Sequence, residues 1–482
     1  MSLVRDAALR PLLTMTNGET AKKARHPEAR APRASRRTQI AGLALAALLT
    51  TPAFAETVAI TNAKIETVGA AGEIANGTVV IKDGKIAAVG AHVTPPAGAR
   101  IIDAEGKVVT PGLIAASTNL TVAEVDGVKE TRDDQSGGKL GAAFDVQYGV
   151  NPASTLIPLA RQGGVTRAMV TPIAGRGFGG DEEDDLVTET AGAGDGVAPA
   201  AGLFAGQAAA VRLSANDTDP VFKTRAAMVV DLGDAGARIG GSHAGSLILL
   251  RGALADVRAY AAHRDAYERG QSRAYALPRE DLEALIPVVE GRMPLLVRTS
   301  RASDIRQVLK LAREEHLKLV IEGAEEGWLV APELAAAGVP VLIDTEADLP
   351  DQFESLGSRL DNAARLQAAG VTVAIEGSRD FDNLRQARFN AGTAVANGLP
   401  YGAALAAVTI NPARIWGLSD RIGSIEVGKE ADVVIWSGDP FETATFPTAV
   451  FIAGAEQPKG TRGLELRDRY AKPADGMPSA YH

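Results

Sequence analysis

Leu295-Leu296-Val297-Arg298-Thr299-Ser300 runs directly into a stretch in which Ile305, Val308, Leu309 and Ala312 fall on one helical face, with Ser303 or Asp304 as the capping candidate. A short, largely apolar run reads as a parallel strand buried on both sides. Such runs recur: Val165-Thr166-Arg167-Ala168-Met169-Val170, Leu317-Lys318-Leu319-Val320-Ile321, Val339-Pro340-Val341-Leu342-Ile343 and Val371-Thr372-Val373-Ala374-Ile375. Strand-then-helix repetition predicts an α/β fold, a (β/α)8 TIM-like barrel whose sites lie where strands enter the following loops. On pattern alone a doubly wound open sheet is the alternative.

Outward from this middle, both ends change character. From Thr57 the chain reads as short alternating strands: Val58-Ala59-Ile60-Thr61, Thr78-Val79-Val80-Ile81 and, after the turn Lys82-Asp83-Gly84, Lys85-Ile86-Ala87-Ala88-Val89. A matching block returns at Ala431-Asp432-Val433-Val434-Ile435-Trp436 and Ala449-Val450-Phe451-Ile452. Two β blocks flanking one long middle imply a small β-sandwich domain formed by both ends. The expected boundaries are 1–55 for a signal peptide and the segment before it, 56–110 and 418–465 for the sandwich, 111–417 for the barrel and 466–482 for a tail.

The 482 residues are 46% hydrophobic and 23% charged, with a net charge of −9. That is globular composition, and the acidic balance speaks against nucleic acid, whose binding relies on clustered Lys and Arg. No cysteine is present, which removes disulfides, thiolate metal sites and cysteine nucleophiles together. Arg36-Arg37 precedes the apolar run Ile40 to Leu49, and Ala53-Phe54-Ala55 has the small-x-small form of a signal-peptidase site, so cleavage near Ala55 and a periplasmic or secreted mature chain are expected. The paired arginines also fit twin-arginine export. An apolar run of about ten residues is short of the roughly 20 that span a bilayer, so no transmembrane segment is expected in the mature chain. The five acids Asp181-Glu182-Glu183-Asp184-Asp185 lack EF-hand spacing and read as a solvated loop. Nor is the glycine-rich run before them a phosphate loop, since no Gly-Lys-Ser/Thr follows.

The entry Val109-Thr110-Pro111-Gly112-Leu113-Ile114, the run Thr409-Ile410-Asn411-Pro412-Ala413-Arg414-Ile415-Trp416-Gly417, and Gly423-Ser424-Ile425 with Gly428-Lys429-Glu430-Ala431-Asp432 together resemble amidohydrolases of the imidazolonepropionase-like group. The resemblance covers nearly all of the mature chain. It implies a metal-dependent hydrolase ancestry, a (β/α)8 barrel and a β-sandwich from both ends.

The same resemblance exposes a disagreement in the chemistry. Family members read Pro-Gly-Leu-Ile-Asp-x-His-x-His at the first barrel strand, and this chain has Ser117 and Asn119 where the two metal-binding histidines stand. Arg298 or a near neighbour occupies the next histidine position, Gly323 the one after, and Ser378 lies at or beside the metal-binding aspartate. Hydroxyl and carboxamide groups are poor ligands where imidazole is a good one. No cofactor is therefore expected, with zinc or another divalent metal kept for the hydrolase alternative. Of the histidines, His92 lies in a β block, His263 and His316 in helix-like stretches and His482 at the end. His243 alone has a loop-like setting, where it reads as a surface or capping residue.

Arg298, Glu322, Asp344 and Glu376 each follow apolar strand residues, so a barrel directs them to one mouth. They would hold a small polar ligand or a hard cation there, or pair merely to fill it. No serine-hydrolase arrangement stands out. Two functions follow: a binding or partner subunit on an amidohydrolase fold, with an active amidohydrolase paralogue or a second copy as partner, or a hydrolase of cyclic-amide carbon–nitrogen bonds with a rearranged site.

Overall fold

The computed structural model describes residues 56–125, 128–136, 140–174, 199–346, 349–350, 352–377 and 384–471. All of them belong to the second of two units, Met1–Ala53 and Phe54–His482. The export signal, the acidic and glycine-rich loop and Ser378 lie outside the described residues.

The β-rich part forms from both ends of the chain. β1 (Val58–Glu66), β2 (Glu73–Lys82) and β3 (Lys85–Gly90) make an antiparallel meander, and Asp83 and Gly84, with φ of 51° and 77°, form its turn. The other edge of β1 forks: its first half pairs in parallel with β4 (Arg100–Asp103) and its second with β5 (Val108–Pro111). β5 then pairs antiparallel with β16 (Val433–Trp436), followed by β17 (Pro447–Ile452) and β18 (Ala455–Glu456), in one sheet of eight strands. Val58, Ile60, Ile65, Val79 and Ile81 share a core with Ile425, Val433 and Phe451, so residues nearly 400 positions apart bury each other's apolar faces.

Eight strand positions make the barrel. In chain order they are β6 (Leu113–Thr118), β7 (Val165–Val170), the segment β8 (Phe204–Gln207) with β9 (Ala209–Arg212), β11 (Met228–Asp231), β12 (Leu295–Thr299), β13 (Leu319–Gly323), β14 (Val341–Ile343) and β15 (Val373–Ile375); a short β10 (Val221–Lys223) pairs with β9. Pairing is parallel from β6 to β7 and from β11 through β15. The third position departs from the expected pattern. β9 is antiparallel to β7 and β8 antiparallel to β11, because the chain re-enters at the end where β7 stops. Between β15 and β6 no ladder forms among the described residues. The gap is closed by Ile114 N–H donating to Val408 O, Asn411 Nδ2 to Val373 O and Trp416 Nε1 to Ala116 O.

Side chains alternate across these strands as the pleat requires. Leu295, Val297, Leu319, Ile321, Val341 and Ile343 face outward to helices, among them Ile305 and Val308 of the helix Ala302–Glu315. Ala116, Met169, Val229, Leu296, Val320, Leu342 and Ala374 face inward. The capping expectation for that helix is corrected. Arg301 is the cap residue and makes no side-chain cap bond, while Ser303 and Asp304 sit within the first turn. The Ala302 N–H is satisfied from a distance, by Glu326 Oε2 at 3.0 Å. At the far end, the helix Arg462–Tyr470, capped by Thr461, crosses the expected start of the tail at 466. Barrel and β-rich part meet closely where Gly164, at φ +81°, lies under Trp436: a Cβ there would come within 2.3 Å of the indole.

Candidate functional site

Two arginines occupy opposite ends of the barrel interior. Arg167 sits low on β7, only 1% exposed; its Nε and Nη2 engage Asp432 Oδ2 and Oδ1 at 2.7 and 2.9 Å, and Nη2 also reaches Glu430 Oε2 at 2.6 Å. Burial works to lower its pKa, and Asp432 and Glu430 more than offset this, holding it above the ordinary value. The Gly428–Asp432 stretch, one of those that carry the resemblance, thus supplies the clamp that fastens the end of the chain to the bottom of the barrel.

Arg298 sits at the other end, at the mouth. Its Nε lies 3.1 Å from Glu322 Oε2, Nη1 donates to Pro172 O at 2.9 Å and Nη2 to Thr171 Oγ1 at 3.2 Å. Ser117 Oγ shares a 2.7 Å hydrogen bond with Thr171 Oγ1 and donates to Glu322 Oε1 at 3.3 Å. The register explains the meeting: Arg298 and Glu322 are paired across β12 and β13, two residues beyond the inward Leu296 and Val320.

The other sequence-derived positions divide. Asn119 turns to Asp134, donating from Nδ2 to Oδ2 at 2.5 Å, and Asp134, fully buried, is also held by Arg132 at 2.7 Å. Gly323 closes β13 at φ +96° and offers no ligand atom. Asp344 Oδ1 accepts from Asn390 Nδ2 at 3.0 Å and from the Glu346 N–H at 2.9 Å; the same Asn390 amide reaches Glu376 O at 3.1 Å. Asn390 therefore ties the ends of β14 and β15 together, while no hydrogen bond or ion pair at these distances joins Arg298 to Asp344 or Glu376. Sequence reasoning missed Thr171, although it follows the apolar run of β7 as Arg298 follows that of β12. Asp134 and Asn390 carried no strand-end signal.

The positions that the resemblance implies for the family's metal do not offer its ligand set among the described residues. Its two-histidine position holds a serine and a carboxamide already engaged with protein partners, and a guanidinium stands at the next ligand position, bound to the carboxylate beside it. A cation brought among these groups would face Arg298.

A second polar cluster lies at the rim. His243 Nε2 is 2.6 Å from Glu354 Oε1, His243 Nδ1 is 3.2 Å from Asp304 Oδ2, and ligand atoms of Asp234, His243 and Glu354 all lie within 4.8 Å of one another. The expectation that His243 is a surface or capping histidine is corrected: Ser242 Oγ takes the cap role, accepting from Gly245 N, and His243 turns into the acids. Burial pushes the Glu354 carboxyl up to about 6, with Asp234 adding to the rise and His243 opposing it.

The comparisons agree with this architecture. A model described as "Amidohydrolase family" matches residues 298–461. The chain is 25% identical over 385 residues to amidohydrolase tasK of Hapsidospora irregularis, covering 75% of this chain and 37% of that protein. It is 54% identical over 48 residues to an imidazolonepropionase of Staphylococcus aureus, 10% of this chain and 12% of the relative. The chain thus spans well under two thirds of either curated relative. Among solved structures, an amidohydrolase from Thermotoga maritima superposes with a TM-score of 0.71 at 25% identity, over 83% of this chain and 99% of that one. The barrel that opens beside Arg298, the β-rich part built from both chain ends, and these likenesses converge: the chain belongs to the amidohydrolase superfamily.

Proposed function

We propose that the chain is a hydrolase of non-peptide, cyclic-amide-type carbon–nitrogen bonds whose site is rearranged around a guanidinium. The observation that carries this is Arg298, pinned at the barrel mouth by Glu322, Thr171 and Pro172. A guanidinium has five N–H donors and three are engaged, so two remain for a substrate carbonyl oxygen. In a recessed mouth they oppose the negative charge that develops on that oxygen as water adds to the carbonyl carbon. Asp344 or Glu376 accepts the proton of the attacking water and returns it to the nitrogen as the C–N bond breaks. The likeness to an imidazolonepropionase supports the reading.

The test is turnover of a panel of five- and six-membered lactams and cyclic ureides by the full chain stripped of metal. Expected is hydrolysis that falls by about 10²–10³ in kcat in Arg298→Lys, which keeps the charge and loses the fork. Absence of turnover and of binding across the panel rejects the reading. A second reading, a binding or partner subunit working with an active paralogue or a second copy, is favoured by the engagement of Ser117 and Asn119 with protein partners; binding without turnover would select it.

Export belongs to the same proposal. β1 begins only at Val58, so cleavage after Ala55 leaves the fold whole. Among the described residues no helix is long and apolar enough to cross a membrane. N-terminal sequencing of protein from the periplasm should start at Glu56; recovery of only the uncleaved chain in the cytoplasm would reject it.

A further inference from the structure

We infer that the rim cluster is a divalent transition-metal site, with His243 Nε2, Glu354 and Asp234 as ligands and Asp304 as the group that orients the imidazole. It is separate from the mouth reading and from the positions where the family carries its metal. The cluster draws on the segments after three different strands: Asp234 and His243 each open a helix after β11, Asp304 sits in the first helical turn after β12 and Glu354 in a short 3-10 turn after β14. It abuts the end of β12, since a Cβ on Gly233 would lie 3.4 Å from Glu354 Oε2 and 3.9 Å from Arg298 O.

Two observations point to a cation. The first is orientation. Each imidazole nitrogen faces a different carboxylate, Nδ1 toward Asp304 at 3.2 Å and Nε2 toward Glu354 at 2.6 Å with Asp234 close by. In metal sites a ligating histidine characteristically gives its other N–H to a carboxylate, which sets tautomer and ring angle. The second is incomplete satisfaction. Glu354 is 94% buried, yet its Oε1, 2.6 Å from His243 Nε2, has no hydrogen bond of proper geometry. Buried polar atoms are almost always satisfied, and a cation set among the converging Glu354, Asp234 and His243 Nε2 atoms would satisfy this one. Three carboxylates around one imidazole leave excess negative charge, and Arg301, 3.8 Å from Asp304, is the one ion-pairing cation at hand among the described residues. One imidazole with two carboxylates suits zinc or manganese better than calcium, which prefers oxygen alone.

The experiment is equilibrium dialysis of the full chain, stripped with chelator, against zinc and manganese with calcium and magnesium as controls, read by elemental analysis and thermal melting. One zinc per chain and a raised melting temperature are expected. His243→Ala and Asp234→Asn should abolish retention; Asp234 is exposed, so its variant keeps the fold. Asp304→Asn should weaken binding by about 10- to 100-fold. Arg298→Lys should bind zinc as the parent does, whether or not it loses turnover. A wild-type chain that retains no transition metal, or retention by His243→Ala and Asp234→Asn equal to the parent's, overturns the assignment. So does zinc lost in Arg298→Lys and kept in His243→Ala, which would put the metal in the mouth.

Discussion

Arg167→Met should lower the stability of the fold by about 3–5 kcal/mol, the cost of breaking a buried ion pair from one side. The substitution keeps the stem length and removes the charged fork, together with the guanidinium's contact 4.9 Å over the Phe222 ring. What is lost is the partner of Asp432, which is 5% exposed, and one of the two cationic partners of Glu430. Arg421 remains on Glu430, at 2.6 Å, but sits on the exposed side and makes no contact with Asp432 that would replace Arg167. Urea unfolding followed by circular dichroism measures the effect. A loss under about 1 kcal/mol would mean that the clamp between β7 and the chain's end is dispensable.

The same clamp sets a pH dependence. Burial tends to raise the Glu430 pKa, and Arg167 and Arg421 more than reverse it, so the folded-state value lies below the ordinary one. A depressed carboxylate contributes stability that is present above the unfolded value of about 4.3 and is lost as pH falls through the folded value. Acid unfolding should therefore begin at higher pH in Arg167→Met than in the parent.

Arg298→Met is the second large effect, and its double-mutant cycle with Glu322→Leu gives it meaning. Glu322 is 2% exposed and has two partners at its oxygens, Arg298 and the Ser117 hydroxyl. Removing the guanidinium leaves a buried carboxylate with one neutral donor, at a cost of about 3–5 kcal/mol. Arg298→Met with Glu322→Leu removes both charges and should recover most of that loss, since a buried ion pair exchanged for apolar groups is often neutral in stability. Equal destabilisation in the single and double variants would show that Arg298 holds the mouth through Thr171 and Pro172 instead. The cycle is read in stability alone and does not depend on finding a substrate.

By itself, the sequence determined the fold class, the division into two β-rich ends around a strand-and-helix middle, and the strand-end positions Arg298, Glu322, Asp344 and Glu376. These are properties of local periodicity: a pleat of period two and a helix of period 3.6 write themselves into neighbouring residues. The resemblance likewise implied that Ser117, Asn119, Arg298 and Gly323 stand where the family carries ligands. What each group touches was decided by the tertiary structure. Arg167 and Arg298 are both arginines within apolar strands, and only their height in the barrel makes one a clamp at its base and the other a cation at its mouth. The third barrel strand runs antiparallel because of where the chain re-enters, which period two cannot encode. His243 meets Asp304 and Glu354 across 61 and 111 residues of chain, from helix starts and a turn brought together by strands whose order follows from hydrogen-bonded pairing. Local pattern fixes which way a side chain faces; the closure of the barrel fixes what stands opposite it.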